Sequence, residues 1–147
     1  MNNSMKLEFL AISENESFAR TAVAAFIAQL NPTLDEIDDI KTAVSEAVTN
    51  AIVHGYPDTL GMVHITCVLE EDNTVISIKD TGRGIENISL ARTPLYTSAS
   101  GGDRSGLGFT VMETFMDTVS VTSAPGQGTE ITMKKKVGLS KALPVCV

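Results

Sequence analysis

The chain has 147 residues, 43% of them apolar and 20% charged, a balance that suits a single globular domain with a real core. Its formal net charge is −7, with 11 Lys and Arg against 18 Asp and Glu, which argues against general nucleic-acid binding, since that needs clustered cations along a phosphate track. No basic start leads into an apolar run, and no apolar stretch approaches the roughly 20 residues that span a bilayer. The two cysteines lack metal or redox spacing, so a reduced, cytoplasmic protein without membrane contact is expected.

Leu7, Phe9 and Ala11 alternate, as in a strand. Ser13 and Glu16 then have the spacing of a capping box that opens a helix to about Leu30, where Asn31-Pro32 stops it. Thr33 and Glu36 repeat that spacing ahead of a second helix, which runs to about His54 and ends at Gly55 and Pro57. Residues 62–69 and 74–80 alternate with period two around a short break, which reads as a hairpin with Cys67 as a small core residue. Residues 81–104 carry glycines and no period, and so long a loop in a compact domain usually has a function, such as a lid. Residues 105–117 read as a helix, and Val119 with Val121 and Ile131 with Met133 mark two last strands about Pro125-Gly126-Gln127-Gly128. Strands and helices do not alternate one by one. The expected fold is therefore an α+β two-layer sandwich, its mixed, mainly antiparallel sheet covered by helices on one face. Residues 1–137 form the domain and 138–147 a short tail that includes Cys146.

On the second helix, Ile37, Ile40, Val44, Ala47, Val48 and Ala51 make the buried stripe, and Glu46, Asn50 and His54 follow one another at its edge. Edge positions can line a pocket, where a carboxylate takes a proton and an amide oxygen ligates Mg²⁺. They can equally be the polar rim of an amphipathic helix. Asp80 shares strand parity with Ile76 and Ile78, which delivers its carboxylate to the buried side, where it needs a donor. The following Thr81-Gly82-Arg83-Gly84 leaves room for a flat ligand or makes an everyday turn. Arg104-Ser105-Gly106-Leu107-Gly108 stands at a helix start, where bare amides, the helix dipole and a guanidinium favour a phosphate. Gly128-Thr129 is a turn feeding a strand, which alone says little.

Together, in this order and spacing, these four elements resemble the N, G1, G2 and G3 boxes of the GHKL superfamily of ATPases and kinases. The resemblance implies that Asp80 accepts from the adenine amino group with support from Thr129. It implies that Asn50 ligates Mg²⁺, that Ser105, Gly106 and Gly108 line the phosphates, and that Arg104 reaches the terminal one. Glu46 becomes the general base, while Gly82 and Gly84 give base and ribose room. His54 receives no role, its commoner fate being to cap helix-end carbonyls.

The superfamily's sensor kinases carry a phosphotransfer helix pair, and gyrase and MutL carry a transducer domain. This length leaves room for neither, which points to the short, free-standing anti-sigma serine kinases. Further segments, including Asn15-Glu16-Ser17-Phe18-Ala19-Arg20 and Ser140-Lys141-Ala142-Leu143, resemble the sporulation members of that branch. The segment Tyr96-Thr97-Ser98-Ala99-Ser100-Gly101-Gly102 departs from it by lacking a Thr-Lys-Pro run in the lid. The resemblance implies a homodimer that holds a sigma factor inactive and uses Mg-ATP to phosphorylate a serine of an anti-anti-sigma protein. A nucleotide-gated sequestering module with little catalysis, or a stress-type kinase for another sigma factor, is the alternative. Between Glu16 and Asp35 the only charge is Arg20, set roughly opposite Phe18 among Thr21, Ala24 and Ala28, and it is the expected partner contact.

Overall fold

A computed structural model of the chain describes residues 2–57, 59–85, 92 and 108–138. Strand β1 (Asn2–Leu10) leads to helix α1 (Glu14–Ile27), a 3₁₀ turn (Ala28–Leu30) and helix α2 (Leu34–Asn50). Strands β2 (Met62–Glu70) and β3 (Asn73–Asp80), helix α3 (Gly108–Phe115) and strands β4 (Thr118–Ser123) and β5 (Thr129–Lys136) follow. The five strands lie in the order β1-β2-β3-β5-β4. Every pairing is antiparallel, so the mixed character expected of the sheet is absent among the described residues, while the two-layer α+β design stands. The reason is placement: β2–β3 and β4–β5 are hairpins, and β5 lies between β3 and β4, so these two strands, which run the same way, never pair with each other.

One sheet face is apolar. Val63, Ile65, Cys67, Leu69, Ile76, Ile78, Ile131 and Met133 are buried beneath Ala19, Val23 and Ile27 of α1, Ile40, Ala43, Val44, Ala47 and Val48 of α2, and Met112 of α3. Removing a large aliphatic side chain of this kind from water stabilises the fold by about 1.5–3 kcal/mol. Burial pushes the Cys67 thiol up to about 12, so this cysteine is an inert core residue.

The two expected capping boxes have different outcomes. At Thr33 both bonds form: Glu36 N–H donates to Thr33 Oγ1 (3.1 Å) and Thr33 N–H to Glu36 Oε1 (2.8 Å). At Ser13 neither forms, because the residue already has helical angles (φ −57°, ψ −34°) and its hydroxyl makes no cap. A capping hydroxyl needs extended backbone to turn back on the helix. The turn starts earlier, with Asn15 N–H on the Ile12 carbonyl (3.0 Å), and Glu16 pairs with Arg20 instead (3.6 Å).

Glu36 also accepts from Gly138 N–H at 2.9 Å, joining the end of β5 to the start of α2. Burial pulls its carboxyl upward, but the donors on Thr33 and Gly138 and the charge of Lys135 bring it below the ordinary 4.5. A carboxylate with a lowered folded-state pKa contributes stability above its unfolded value and loses it as pH falls through the folded value. Glu36→Ala is therefore expected to cost about 1–2 kcal/mol at neutral pH. The deficit shrinks in acid below pH 4.5, and thermal unfolding of both proteins across pH checks it.

Candidate nucleotide site

The last turn of α2 widens into a π turn (Ala51–Gly55), which carries the chain end onto the end of β3. There Asp80 is 3% exposed, at the buried parity expected of it. Its Oδ1 accepts from Gly82 N–H at 2.9 Å, and the N–H of Thr129, its register partner on β5, also donates to the carboxylate. Burial raises the carboxyl above its ordinary 3.8, and the two N–H groups only partly oppose that shift. A buried carboxylate with two backbone donors keeps lone pairs for a third.

The close approach around it is allowed by glycine. A Cβ on Gly55 would stand 2.8 Å from the Asp80 carboxyl carbon and Oδ1, and one on Gly82 would stand 1.9 Å from the Gly55 carbonyl. These contacts bring α2 and the turn after β3 together, fastened by Arg83 N–H on the Gly55 carbonyl (3.0 Å). Gly84 has φ +77°, and a side chain there would also meet the Ala124 carbonyl at 1.9 Å.

Two hydroxyls that the sequence did not single out fix this turn. Tyr56 Oη accepts from Thr81 N–H at 2.7 Å and donates to the Met62 carbonyl at 2.9 Å. Ser123 Oγ, at the end of β4, accepts from Ile85 N–H (2.8 Å) and lies 2.8 Å from Thr129 Oγ1. Neither has a local signal. Tyr56 reaches 25 residues along the chain and Ser123 reaches 38, so only the closed fold reveals them.

Glu46 and Asn50 are partly buried, beside the sealed Ala43, Ala47, Val48 and Ala51, so they occupy the expected edge of α2, while His54, also partly buried, lies in the π turn beyond it. Asn50 ends that helix immediately before the turn whose Gly55 abuts Asp80. Thr129 is 5% exposed and belongs to the Asp80 cluster, and Gly108 is the first residue of α3. Arg104, Ser105 and Gly106 lie outside the described residues, as do the segment 96–102 and the tail from 139 onward. Arg92, which lies between β3 and α3 in the sequence, pairs with Glu113 (2.6 Å) and donates to the Val119 carbonyl (3.1 Å).

Arg20 sits on the α1–α2 seam, half-exposed. Its guanidinium reaches Ser45 Oγ on α2 (3.4 Å), Ser17 Oγ (3.3 Å) and Glu16 (3.6 Å). Phe18 is 52% exposed and lies edge-on to Phe9, with ring centres 6.4 Å apart.

A buried acceptor held by a glycine-closed turn, next to a helix edge with a carboxylate and an amide, suits a purine nucleotide. Comparison with known proteins decides the family. Residues 11–135 match the histidine kinase-like ATPase domain. The chain is 58% identical over 139 residues to the anti-sigma F factor of Clostridium acetobutylicum, covering 95% of this chain and 97% of that one. It is 60% identical over 138 residues to that of Clostridium perfringens, covering 93% and 99%. The chain belongs to the anti-sigma F factor family. Its domain is accordingly of the nucleotide-binding, kinase-like ATPase type. The fold also matches a crystal structure of the RsbU and RsbW domains of a Mycobacterium tuberculosis protein, with TM-score 0.66 and 21% identity. That match covers 92% of this chain and 32% of the longer one, and it bears on the fold alone. Among the described residues no helix is long and apolar enough to cross a membrane.

Proposed function

We propose that this chain is an anti-sigma factor and a protein serine kinase: it binds and inhibits a sporulation sigma factor and, with Mg-ATP, phosphorylates a serine of an anti-anti-sigma protein. The observation that carries the reading is the buried Asp80 carboxylate between Gly55, Gly82 and Thr129, in a chain so similar to named anti-sigma F factors. The carboxylate accepts the adenine amino group, and glycine at 55 and 82 lets the turn after β3 close against it and hold it in place.

Magnesium suits the remaining groups. Among the described residues no three carboxylate, imidazole or thiol side chains cluster as a metal cage. Mg²⁺ commonly needs only one or two protein oxygens beside phosphates and water, and Asn50 would supply one. The ion contributes charge neutralisation at the transferring phosphoryl group. Glu46, one turn before Asn50, takes the serine proton. Arg104 neutralises charge on the terminal phosphate, and Ser105, Gly106 and Gly108 hold the phosphate chain. Most of the rate then comes from holding serine and phosphate in line.

The regulatory cycle follows from these two activities. The homodimer, a cytoplasmic assembly, holds the sigma factor, and the anti-anti-sigma protein competes for release until its serine is phosphorylated. The test is transfer of radiolabelled γ-phosphate from Mg-ATP to a candidate anti-anti-sigma protein. Label on a partner serine supports the kinase. ATP binding without transfer points instead to a sequestering module with nucleotide as a conformational ligand.

Arg20 is the partner contact in this reading, held ready by Ser45, Ser17 and Glu16. Arg20→Glu puts a second carboxylate beside Glu16 and reverses the charge that the partner meets. It is expected to weaken sigma-factor capture at least about tenfold, since removing a charged hydrogen bond costs about 1.5–3 kcal/mol. ATP affinity stays within twofold. Unchanged capture by immobilised sigma factor would remove Arg20 from the interface.

A further inference from the structure

We infer that Ser123 sets base selectivity at this site by fixing the direction of the Thr129 hydroxyl proton. The inference rests on the nucleotide reading above and concerns a residue outside the four boxes.

A count of protons fixes that direction. Ser123 Oγ has three neighbours at hydrogen-bond distance: Ile85 N (2.8 Å), the Gly128 carbonyl (2.9 Å) and Thr129 Oγ1 (2.8 Å). Ile85 N–H can only donate, and a carbonyl can only accept. The single Ser123 proton must therefore go to Gly128, or that contact is not a hydrogen bond. The third contact can then form in one sense only, with Thr129 Oγ–H donating to Ser123. All three contacts are satisfied by this arrangement and by no other.

Thr129 is 5% exposed, so its hydroxyl has little water to exchange with, and a wrongly pointed proton there is costly. With its one proton spent on Ser123, Thr129 Oγ1 faces the site as an acceptor alone. Asp80, paired with Thr129 across β3 and β5, is an acceptor too. The two together demand donors from the base edge, or from a water it brings. Adenine offers an amino group at its six-position, whereas hypoxanthine and guanine present a carbonyl oxygen there. A buried site built for a donor rejects an analogue lacking it, because the site's own groups are left unpaired.

Removing Ser123 reverses the logic. In Ser123→Ala the Thr129 proton is released and can turn to a carbonyl at the six-position. The position is a selectivity determinant acting through Thr129, and its signature is a ratio of affinities rather than an overall loss.

The experiment measures Mg-ATP and Mg-ITP affinities of the full chain by titration calorimetry, for wild type, Ser123→Ala, Ser123→Thr, Thr129→Val and the double variant Ser123→Ala with Thr129→Val. The ATP-over-ITP preference is expected to fall about three- to tenfold in Ser123→Ala, the worth of one redirected hydrogen bond. Ser123→Thr keeps the hydroxyl and retains the wild-type preference. Thr129→Val loses preference by itself, and adding Ser123→Ala to it changes the ratio no further. A wild-type ratio in folded Ser123→Ala overturns the inference. Should that variant not fold, an unchanged ratio in Thr129→Val overturns it equally. A wild type that binds neither nucleotide takes down the nucleotide reading itself, which separates the two failures.

Discussion

Asp80→Asn is expected to weaken ATP binding by about ten- to a hundredfold, as befits a lost hydrogen bond to a charged group. The melting temperature is expected to stay level or rise. The two effects have a common cause. The carboxylate accepts from the N–H groups of Gly82 and Thr129 and still has lone pairs for a ligand donor. An asparagine has one oxygen, and its amide nitrogen would face at least one of those donors. Either the backbone or the base then lacks an acceptor. Folding responds differently, because burial raises this carboxyl above its ordinary value. A group with a raised folded-state pKa contributes stability below its unfolded value and loses it as pH rises through the folded one. At neutral pH the ionised Asp80 is thus a burden on the fold, and the neutral amide relieves it. By the same sign, ATP affinity of the wild type falls as acid protonates Asp80, beginning above the ordinary 3.8. Calorimetric titration and thermal unfolding of the two proteins check both halves. Unchanged ATP affinity removes Asp80 from the base contact, and a lower melting temperature would mean that its bonds to Gly82 and Thr129 dominate its burial cost.

What the sequence disclosed here were features repeated at a fixed period or closed within a few residues. The parity of Ile76, Ile78 and Asp80 is a property of any strand, so the burial of Asp80 was legible before the fold was known. The edge placement of Glu46 and Asn50 was legible for the same reason, whereas the π turn that carries His54 was not. Thr33 and Glu36 close a local box and behave as written, whereas Ser13 and Glu16 have the identical spacing and do not. The difference lies one step upstream, where Ile12 already begins the turn and denies Ser13 an extended backbone. The site residues missed were those that act at long range. Gly55 read as an ordinary helix stop, and nothing local says that Asp80 will lie against its α-carbon. Tyr56 and Ser123 hold the turns around Asp80 through partners 25 and 38 residues away. The sheet was expected to be mainly antiparallel; that every pairing among the described residues is antiparallel was not legible, because strand direction is set by which edges meet and not by period.

Glu46→Ala is expected to lower phosphoryl transfer at least about a hundredfold, the low end of what a positioned general base contributes. The position argues for a selective effect. Glu46 lies on the partly buried edge of α2, away from the fully buried stripe, so shortening it opens no sealed cavity. It is one helical turn from Asn50, on the same line, and neither of the backbone donors to the Asp80 carboxylate, Gly82 and Thr129, belongs to it. ATP affinity should therefore stay within about threefold of wild type, less than one net hydrogen bond is worth. Sigma-factor capture should stay as well, since Arg20 is anchored by Ser45, Ser17 and Glu16 rather than by this residue. The measurement is single-turnover transfer of labelled γ-phosphate at saturating Mg-ATP, with nucleotide binding read separately. Transfer at the wild-type rate would free Glu46 from the base role and leave alignment alone to carry the reaction. Loss of ATP binding together with transfer would make Glu46 a structural support of the nucleotide pocket. A slow step with binding intact assigns it the serine proton, because a side chain that served only to hold ATP could not slow the chemistry while leaving the affinity in place.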